Sequence, residues 1–496
     1  MQAVLRPYAI AGVALVGAGV IAVAPVTPAP IPDVQMRAVQ LTGDTADSSL
    51  GDGTAFAMGG SGLPIPSQSY VDTADSLYLA PLGFTGNAQA LFTPEGLYPV
   101  SGVKSLPTDT SFAQGQQILD STIQSQINGG GVDAANPVVV FGWSQSSSIS
   151  GLTMPQLHAQ DVPSADVHFV LVGDPSAPNG GVLERFDIPI NGESPTIPSL
   201  GVTFSGATPA DLYPTDIYTI EYDGFADFPQ YTGNLISDLN ALFGLALAHG
   251  AYMGLTPEQL LPQADGGQAI QLPTSAAGTL TDYYMIPNQE LPLLQLLPVI
   301  GQPLYDLLEP DTRILVNLGY GSITDGWSQG DAVVPTTFGL FPTNLNPTEV
   351  LTALGHGLQQ GITGAVKQLE NPDNYQPTPI VDNPALSTLL ASAKAAGADL
   401  GAPTGGTTTS FTDIVNDFSG TLSNAYATLL PDADTLNAIF TTLPAYDANI
   451  FVEQLEAGNL LAAIGDPIAA DTALIPFAIT FGMLAPLGLA LGVVST

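Results

Sequence analysis

The sequence predicts an α/β fold: a mostly parallel sheet covered by helices, followed by a mainly helical C-terminal extension. Three observations carry this. Short apolar or β-branched runs (Val138 to Phe141, Val167 to Val172, Asp216 to Tyr222) each stop at a glycine or aspartate turn. Helical stretches such as Phe112 to Ile127 lie between strands, the alternation that buries a parallel sheet on both faces. The stretch Asn136 to Ser146 passes from an apolar run through Gly142-Trp143-Ser144-Gln145-Ser146 into small and apolar residues, which reads as strand, tight turn and helix.

In chain order, residues 1–30 predict a signal peptide or membrane anchor. Arg6 precedes an uncharged stretch from Tyr8 to Val26 that is rich in Ala, Val and Gly, the pattern of a positive n-region and an apolar h-region. Residues 31–49 read as a linker. A catalytic region spans 50–345. It opens on Thr54 to Met58, an apolar strand that ends in Gly59-Gly60-Ser61-Gly62. Ser76 to Leu79 is a weak strand candidate.

The turn at Ser144 has the context of the α/β-hydrolase nucleophile elbow, in which a strained strand-to-helix turn exposes a serine hydroxyl at the top of the sheet. Gly326-Trp327-Ser328-Gln329-Gly330 matches Gly-x-Ser-x-Gly more strictly. It lacks a buried strand before it and a helix start after it, so Ser144 is the expected nucleophile. In this fold the oxyanion hole combines the N–H after the nucleophile with one from a strand-end loop. Those are Gln145 and the Gly60/Ser61 region.

The base comes from four histidines, His158, His168, His249 and His356. The order Ser, acid, His excludes the first two and favours His249 over His356. For the acid, Tyr222 to Pro229 follows a strand at its C-terminal end, where ligand sites of open α/β sheets gather. Asp227, Asp223 and Asp174 qualify. Asp227 is preferred because it sits further out in the loop, whereas Asp223 precedes Gly224 and fits a local turn.

Seven Lys plus Arg against 45 Asp plus Glu give a net charge of −38, which excludes electrostatic binding to nucleic acid or an anionic bilayer. With no cysteine there is no disulfide framework, thiolate chemistry or Cys-based zinc site. Neither metal nor organic cofactor is expected. Residues 346–470 read as a helical extension with Pro- and Gly-rich linkers; Asn346 caps a helix with Pro347 at its first position. The tail, 471–496, is apolar. From Ala473 to Val494 it is uncharged and long enough to span a bilayer. It either associates with membrane or packs on the catalytic domain. Oligomeric state stays open.

Taken together, Gly59-Gly60-Ser61-Gly62, Leu91-Phe92-Thr93-Pro94-Glu95-Gly96-Leu97-Tyr98-Pro99, Val139 to Ser146, Glu221 to Pro229 and Leu315 to Gly321 resemble the PE-PPE domain family. These are serine hydrolases of mycobacterial-type cell envelopes. The resemblance spans roughly residues 50–345 and accommodates Ser146, since the family uses Gly-x-Ser-x-Ser or Gly-x-Ser-x-Gly. It implies a cutinase-like α/β-hydrolase fold and esterase or lipase activity on acyl esters or lipids. It also implies a Ser144, Asp227 and His249 triad, with His249 and Tyr252 in the His-x-x-Tyr setting of cutinase-like enzymes. The expectation is an exported serine esterase, secreted or associated with the cell envelope or its membrane. An acyltransferase using the same residues, and a non-catalytic scaffold, are the alternatives.

Overall fold

A computed structural model describes residues 50–190, 192–295, 302–370 and 411–484. The signal or anchor segment, the first linker, the Pro- and Gly-rich linkers within 371–410 and the end of the tail lie outside the described residues.

The main sheet has seven strands in the order β2-β1-β3-β4-β7-β9-β8. In sequence these are β1 (Thr54–Ala57), β2 (Asn87–Ala90), β3 (Val138–Trp143), β4 (Val167–Val172), β7 (Thr215–Ile220), β8 (Ile270–Gln271) and β9 (Thr281–Ile286). All pairings are parallel except β8 with β9. A small antiparallel hairpin pairs β5 (Thr196–Ile197) with β6 (Val202–Thr203). Chain reversal in strand order puts β1 beside β3, and ligand sites of open α/β sheets gather at such switch points beyond the strand ends.

β3 is apolar throughout, and β4 is apolar apart from His168, because both sheet faces are covered. Successive residues point to opposite faces. Val138 and Val140 join a core with Phe112, Leu119, Ile149 and Leu157. Val139 and Phe141 join a second core on the other face with Val71, Tyr78, Ala248 and Tyr252. Each fully buried Val or Phe side chain stabilises the fold by about 1.5–3 kcal/mol. The first core is covered by helices α1 (Thr108–Gly129) and α2 (Gln145–Ala159).

Further on come α3 (Leu235–Leu247), α4 (Gln302–Asn317), α5 (Pro347–Leu369), α6 (Phe411–Asn437), α7 (Leu443–Glu456) and α8 (Leu460–Ile479). The Asn346 side chain accepts the Thr348 N–H at 3.0 Å at the start of α5. Two readings from sequence change. Ser76 to Leu79 is a helical turn rather than a strand; Tyr78 and Leu79 are buried by that turn against the sheet. β9 emerges from Thr281-Asp282-Tyr283-Tyr284-Met285-Ile286, whose polar residues hid it.

The helical extension shares the core of the sheet domain. Leu443, Tyr446 and Ile450 from α7 and Ala469, Ala470, Ala473 and Leu474 from α8 belong to the first core. The Tyr446 hydroxyl donates to the Phe186 carbonyl at 2.9 Å, and Thr232 donates to the Ala469 carbonyl at 2.8 Å. α8 runs through the expected boundary at residue 471. Leu460–Met483 is apolar and long enough to cross a membrane, and 33% of its most apolar window is buried; the buried helix of a soluble core passes the same test.

Candidate active site

β3 delivers Ser144 to the C-terminal edge of the sheet, and α2 starts immediately after it. Ser144 has φ 59° and ψ −117°, a left-handed strain that side chains rarely tolerate. The surroundings hold it there. The Ser144 N–H donates to the Val172 carbonyl at 3.0 Å. A Cβ at Gly142 would stand 3.0 Å from the backbone of Ser146 and Ser147, so strand and helix approach only through glycine at this position. Ser146 replaces the second glycine without loss: its hydroxyl accepts the Trp143 N–H at 2.8 Å and donates to the Trp143 carbonyl at 3.1 Å. The departure from the strict motif thus adds two bonds to the elbow.

His249 opens the short helical turn His249–Gly254 after α3. Its Nε2 lies 2.7 Å from Ser144 Oγ. Its Nδ1 lies 2.9 and 2.8 Å from Asp223 Oδ1 and Oδ2. The Trp143 indole donates to the His249 carbonyl at 3.2 Å, so the elbow itself anchors the histidine. Asp223 Oδ2 also accepts the Tyr252 hydroxyl at 2.7 Å, and Asp223 Oδ1 accepts the Phe225 N–H at 2.9 Å. Tyr252 in turn accepts the Ile220 N–H at 3.0 Å. A buried carboxylate is tolerated only with such partners.

The structure brings Ser144 and His249 together and does not bring Asp227 to them. This corrects the expectation for the acid. Tyr222 has φ 67°, and the chain turn there aims Asp223 at His249. Asp227 instead points back into the turn: its Oδ2 accepts the Tyr222 N–H at 2.8 Å, and its carbonyl accepts the Tyr320 hydroxyl at 3.0 Å. Burial holds its carboxyl well above the usual range, against the opposing hydrogen bond from Tyr222. Asp223 does make the local turn bonds that sequence reasoning assigned it, and it holds the histidine as well. The missed signal was Tyr252, whose hydroxyl needs a buried acceptor.

The other candidates have settled partners. Ser328 is buried and accepts Arg185 Nη2 at 2.8 Å. Arg185 is fully buried and also donates to the carbonyls of Phe228, Asn179 and Thr336; burial lowers its pKa to about 10. Asp174 accepts from Thr208 at 2.6 Å and the Ser176 N–H at 3.0 Å, and burial raises it to about 6. His168 pairs with Asp216 at 2.7 Å. His158 and His356 are exposed.

Gly60 lies against the elbow: a Cβ there would stand 3.0 Å from the Trp143 ring and 3.2 Å from Ser144 Cβ. Among the described residues, no protein acceptor takes the N–H of Gly60, Ser61 or Gln145. The loop is shaped by two neighbouring bonds, Gly62 N–H to the Glu95 carbonyl at 2.8 Å and Leu63 N–H to the Gly60 carbonyl at 2.9 Å. The Gln145 side chain donates to the Gly96 carbonyl at 2.7 Å and so ties the Glu95 segment to the elbow. Over the histidine lies an aromatic cover. Phe225 sits 4.6 Å from the His249 ring, Phe481 sits 5.5 Å from Phe225, and Phe477 stacks on Phe481 at 4.5 Å. Ser144 and His249 retain only 7% and 6% exposure.

The PE-PPE domain family matches residues 85–321, a range that contains Ser144, Asp223 and His249. The uncharacterized PPE family protein PPE28 of Mycobacterium tuberculosis is 40% identical over 456 residues, 86% of this chain and 64% of that protein. Esterase PE16 of the same organism is 40% identical over 379 residues, 75% of this chain and 67% of that protein. Diacyltrehalose acyltransferase Chp2, also from M. tuberculosis, is 27% identical over 272 residues, 51% of this chain and 71% of that protein. The matched regions thus span about two thirds of the first two relatives.

Proposed function

The chain belongs to the PE-PPE domain family, and we propose that it is a serine hydrolase of acyl esters working through Ser144, His249 and Asp223. The carrying observation is the continuous relay from Ser144 Oγ to His249 Nε2 and from His249 Nδ1 to Asp223. His249 takes the Ser144 proton as Oγ attacks the ester carbonyl. Asp223 fixes the tautomer that leaves Nε2 free to accept, and stabilises the imidazolium that forms. The oxyanion is held by the N–H groups of Gln145 and of the Gly60–Ser61 loop. His249 then protonates the leaving alcohol, and an acyl-enzyme remains on Ser144. Water attacks with His249 as base, and the free acid leaves.

Lipid esters fit the apolar cover on the site. They also fit the exposed apolar side chains of α5, Leu351, Leu358, Ile362 and Val366, since contiguous exposed apolar surface marks an interaction face. Export to the cell envelope accords with the N-terminal sequence pattern. A second reading, transfer of the acyl group to another alcohol, is favoured by the relative named as an acyltransferase and uses the same residues.

Ser144→Ala should abolish turnover of p-nitrophenyl esters and labelling by a fluorophosphonate. Labelling that persists in this variant refutes the assignment. A wild-type protein that neither labels nor turns over points to a non-catalytic scaffold. Product analysis with an added alcohol separates hydrolysis from transfer.

A further inference from the structure

An apolar cavity of about 190 Å³ lies between the β5–β6 hairpin and helices α7 and α8. Phe204 and Ile197 line it from the hairpin side, Ile439 and Tyr446 from around α7, and Leu474 and Ala478 from α8. The Tyr446 hydroxyl is spent on the Phe186 carbonyl, so the ring presents its apolar face. The pocket opens to solvent on one side, and an apolar cavity of roughly 150 Å³ is enough to bind a small hydrocarbon.

Two structural links tie this cavity to the catalytic site. The first is α8 and the turn that continues it, Thr480–Leu484. Leu474 and Ala478 face the cavity, while Phe477 and Phe481 lie against Phe225 beside His249. Residues at i, i+3, i+4 and i+7 share adjoining faces of one helix. The second is a chain of ring contacts: Phe204 to Phe186 at 5.7 Å, Phe186 to Phe228 at 5.6 Å and Phe228 to Phe477 at 6.4 Å. A run of packed rings thus connects the cavity wall to Phe225 beside the histidine.

We propose that this cavity seats the aliphatic chain of the ester substrate, so that the C-terminal helices supply the chain-binding site. The proposal rests on the serine-hydrolase reading of Ser144, His249 and Asp223. Each methylene seated is worth about fourfold in binding. The chain belongs to either the acyl or the alcohol half of the ester; these arms separate in the assay.

The test fills the cavity with Ala478→Trp or, from the exposed rim of α7, Ala445→Trp. Two substrate series are compared: p-nitrophenyl acetate, butyrate and octanoate for the acyl half, and ethyl, butyl and octyl acetate for the alcohol half. Wild-type kcat/KM should rise at least tenfold along one series. Both variants should lose that rise, and the series that flattens identifies which half is held. A chain-length profile that stays wild-type in both folded variants overturns the proposal. Dansylaminoundecanoic acid binding, read by fluorescence on Ser144→Ala protein, requires no turnover. Adding Ala478→Trp or Ala445→Trp should weaken it at least tenfold, and unchanged affinity overturns the proposal. Cavity-dependent binding in wild-type protein that neither turns over esters nor labels with fluorophosphonate refutes the hydrolase reading and leaves the chain site standing.

Discussion

Replacing Asp223 and Asp227 separately by Asn tests the site most directly. In Asp223→Asn the group facing His249 Nδ1 loses its charge. One oxygen still accepts the Phe225 N–H, but the amide nitrogen then replaces the acceptor that Tyr252 uses. The imidazolium formed during attack is no longer stabilised, and the histidine is free to take the wrong tautomer. The equivalent change in a serine protease triad lowers kcat by about 10⁴-fold, which corresponds to about 5.5 kcal/mol of transition-state stabilisation. Asp227→Asn is different. Burial already holds that carboxyl well above its ordinary range, and an amide oxygen can still accept the Tyr222 N–H. Its kcat/KM should fall by less than about tenfold, or 1.4 kcal/mol. The assay is p-nitrophenyl butyrate hydrolysis alongside circular dichroism to confirm folding. An inactive, folded Asp227→Asn beside an active Asp223→Asn refutes the assignment of the acid.

Ser328→Ala should keep full fluorophosphonate labelling but lose about 1–3 kcal/mol of stability in urea denaturation, because buried Arg185 loses a hydrogen-bond acceptor. Tyr252→Phe should cost a similar amount, since the Ile220 N–H is left buried without its acceptor, and should also lower kcat through the loosened Asp223; unchanged kcat and stability would sink this account. Glu95 is buried and pushed up to about 8 from 4.5, so the folded protein binds a proton that the unfolded chain has released. Stability contributed by this group is full below about pH 4.5 and falls as pH rises toward 8, by roughly 1.4 kcal/mol per unit. Glu95→Gln mimics the protonated acid, so its melting temperature relative to wild type should rise between pH 5 and 8; a difference independent of pH contradicts the shift.

Features that depend on neighbours along the chain were legible in the residues alone. The apolar run before Ser144 and the small residues after it dictate strand, turn and helix over one short stretch, and the competing serine at 328 lacked both flanks. Scarcity did the rest for the base, because chain order removed two of four histidines. Tertiary structure decided what depends on direction. Asp223 and Asp227 stand on the same five-residue turn, four positions apart, and their composition is the same. The left-handed backbone at Tyr222 aims one at His249 and the other at its own loop, and Tyr252, distant in sequence, supplies the hydroxyl that fixes the choice. β9 was hidden for a related reason: Thr281 and Asp282 break its apolar run, and their partners, the Ala210 carbonyl and the Gln271 side chain, come from other segments of the fold. The helical extension read as an appendage because its apolar spacing says that a face is buried, not against what. Only the folded chain shows that α7 and α8 complete the core, and that α8 and the turn after it bring Phe477 and Phe481 against Phe225 beside the histidine, since contacts between segments more than two hundred residues apart leave no local pattern.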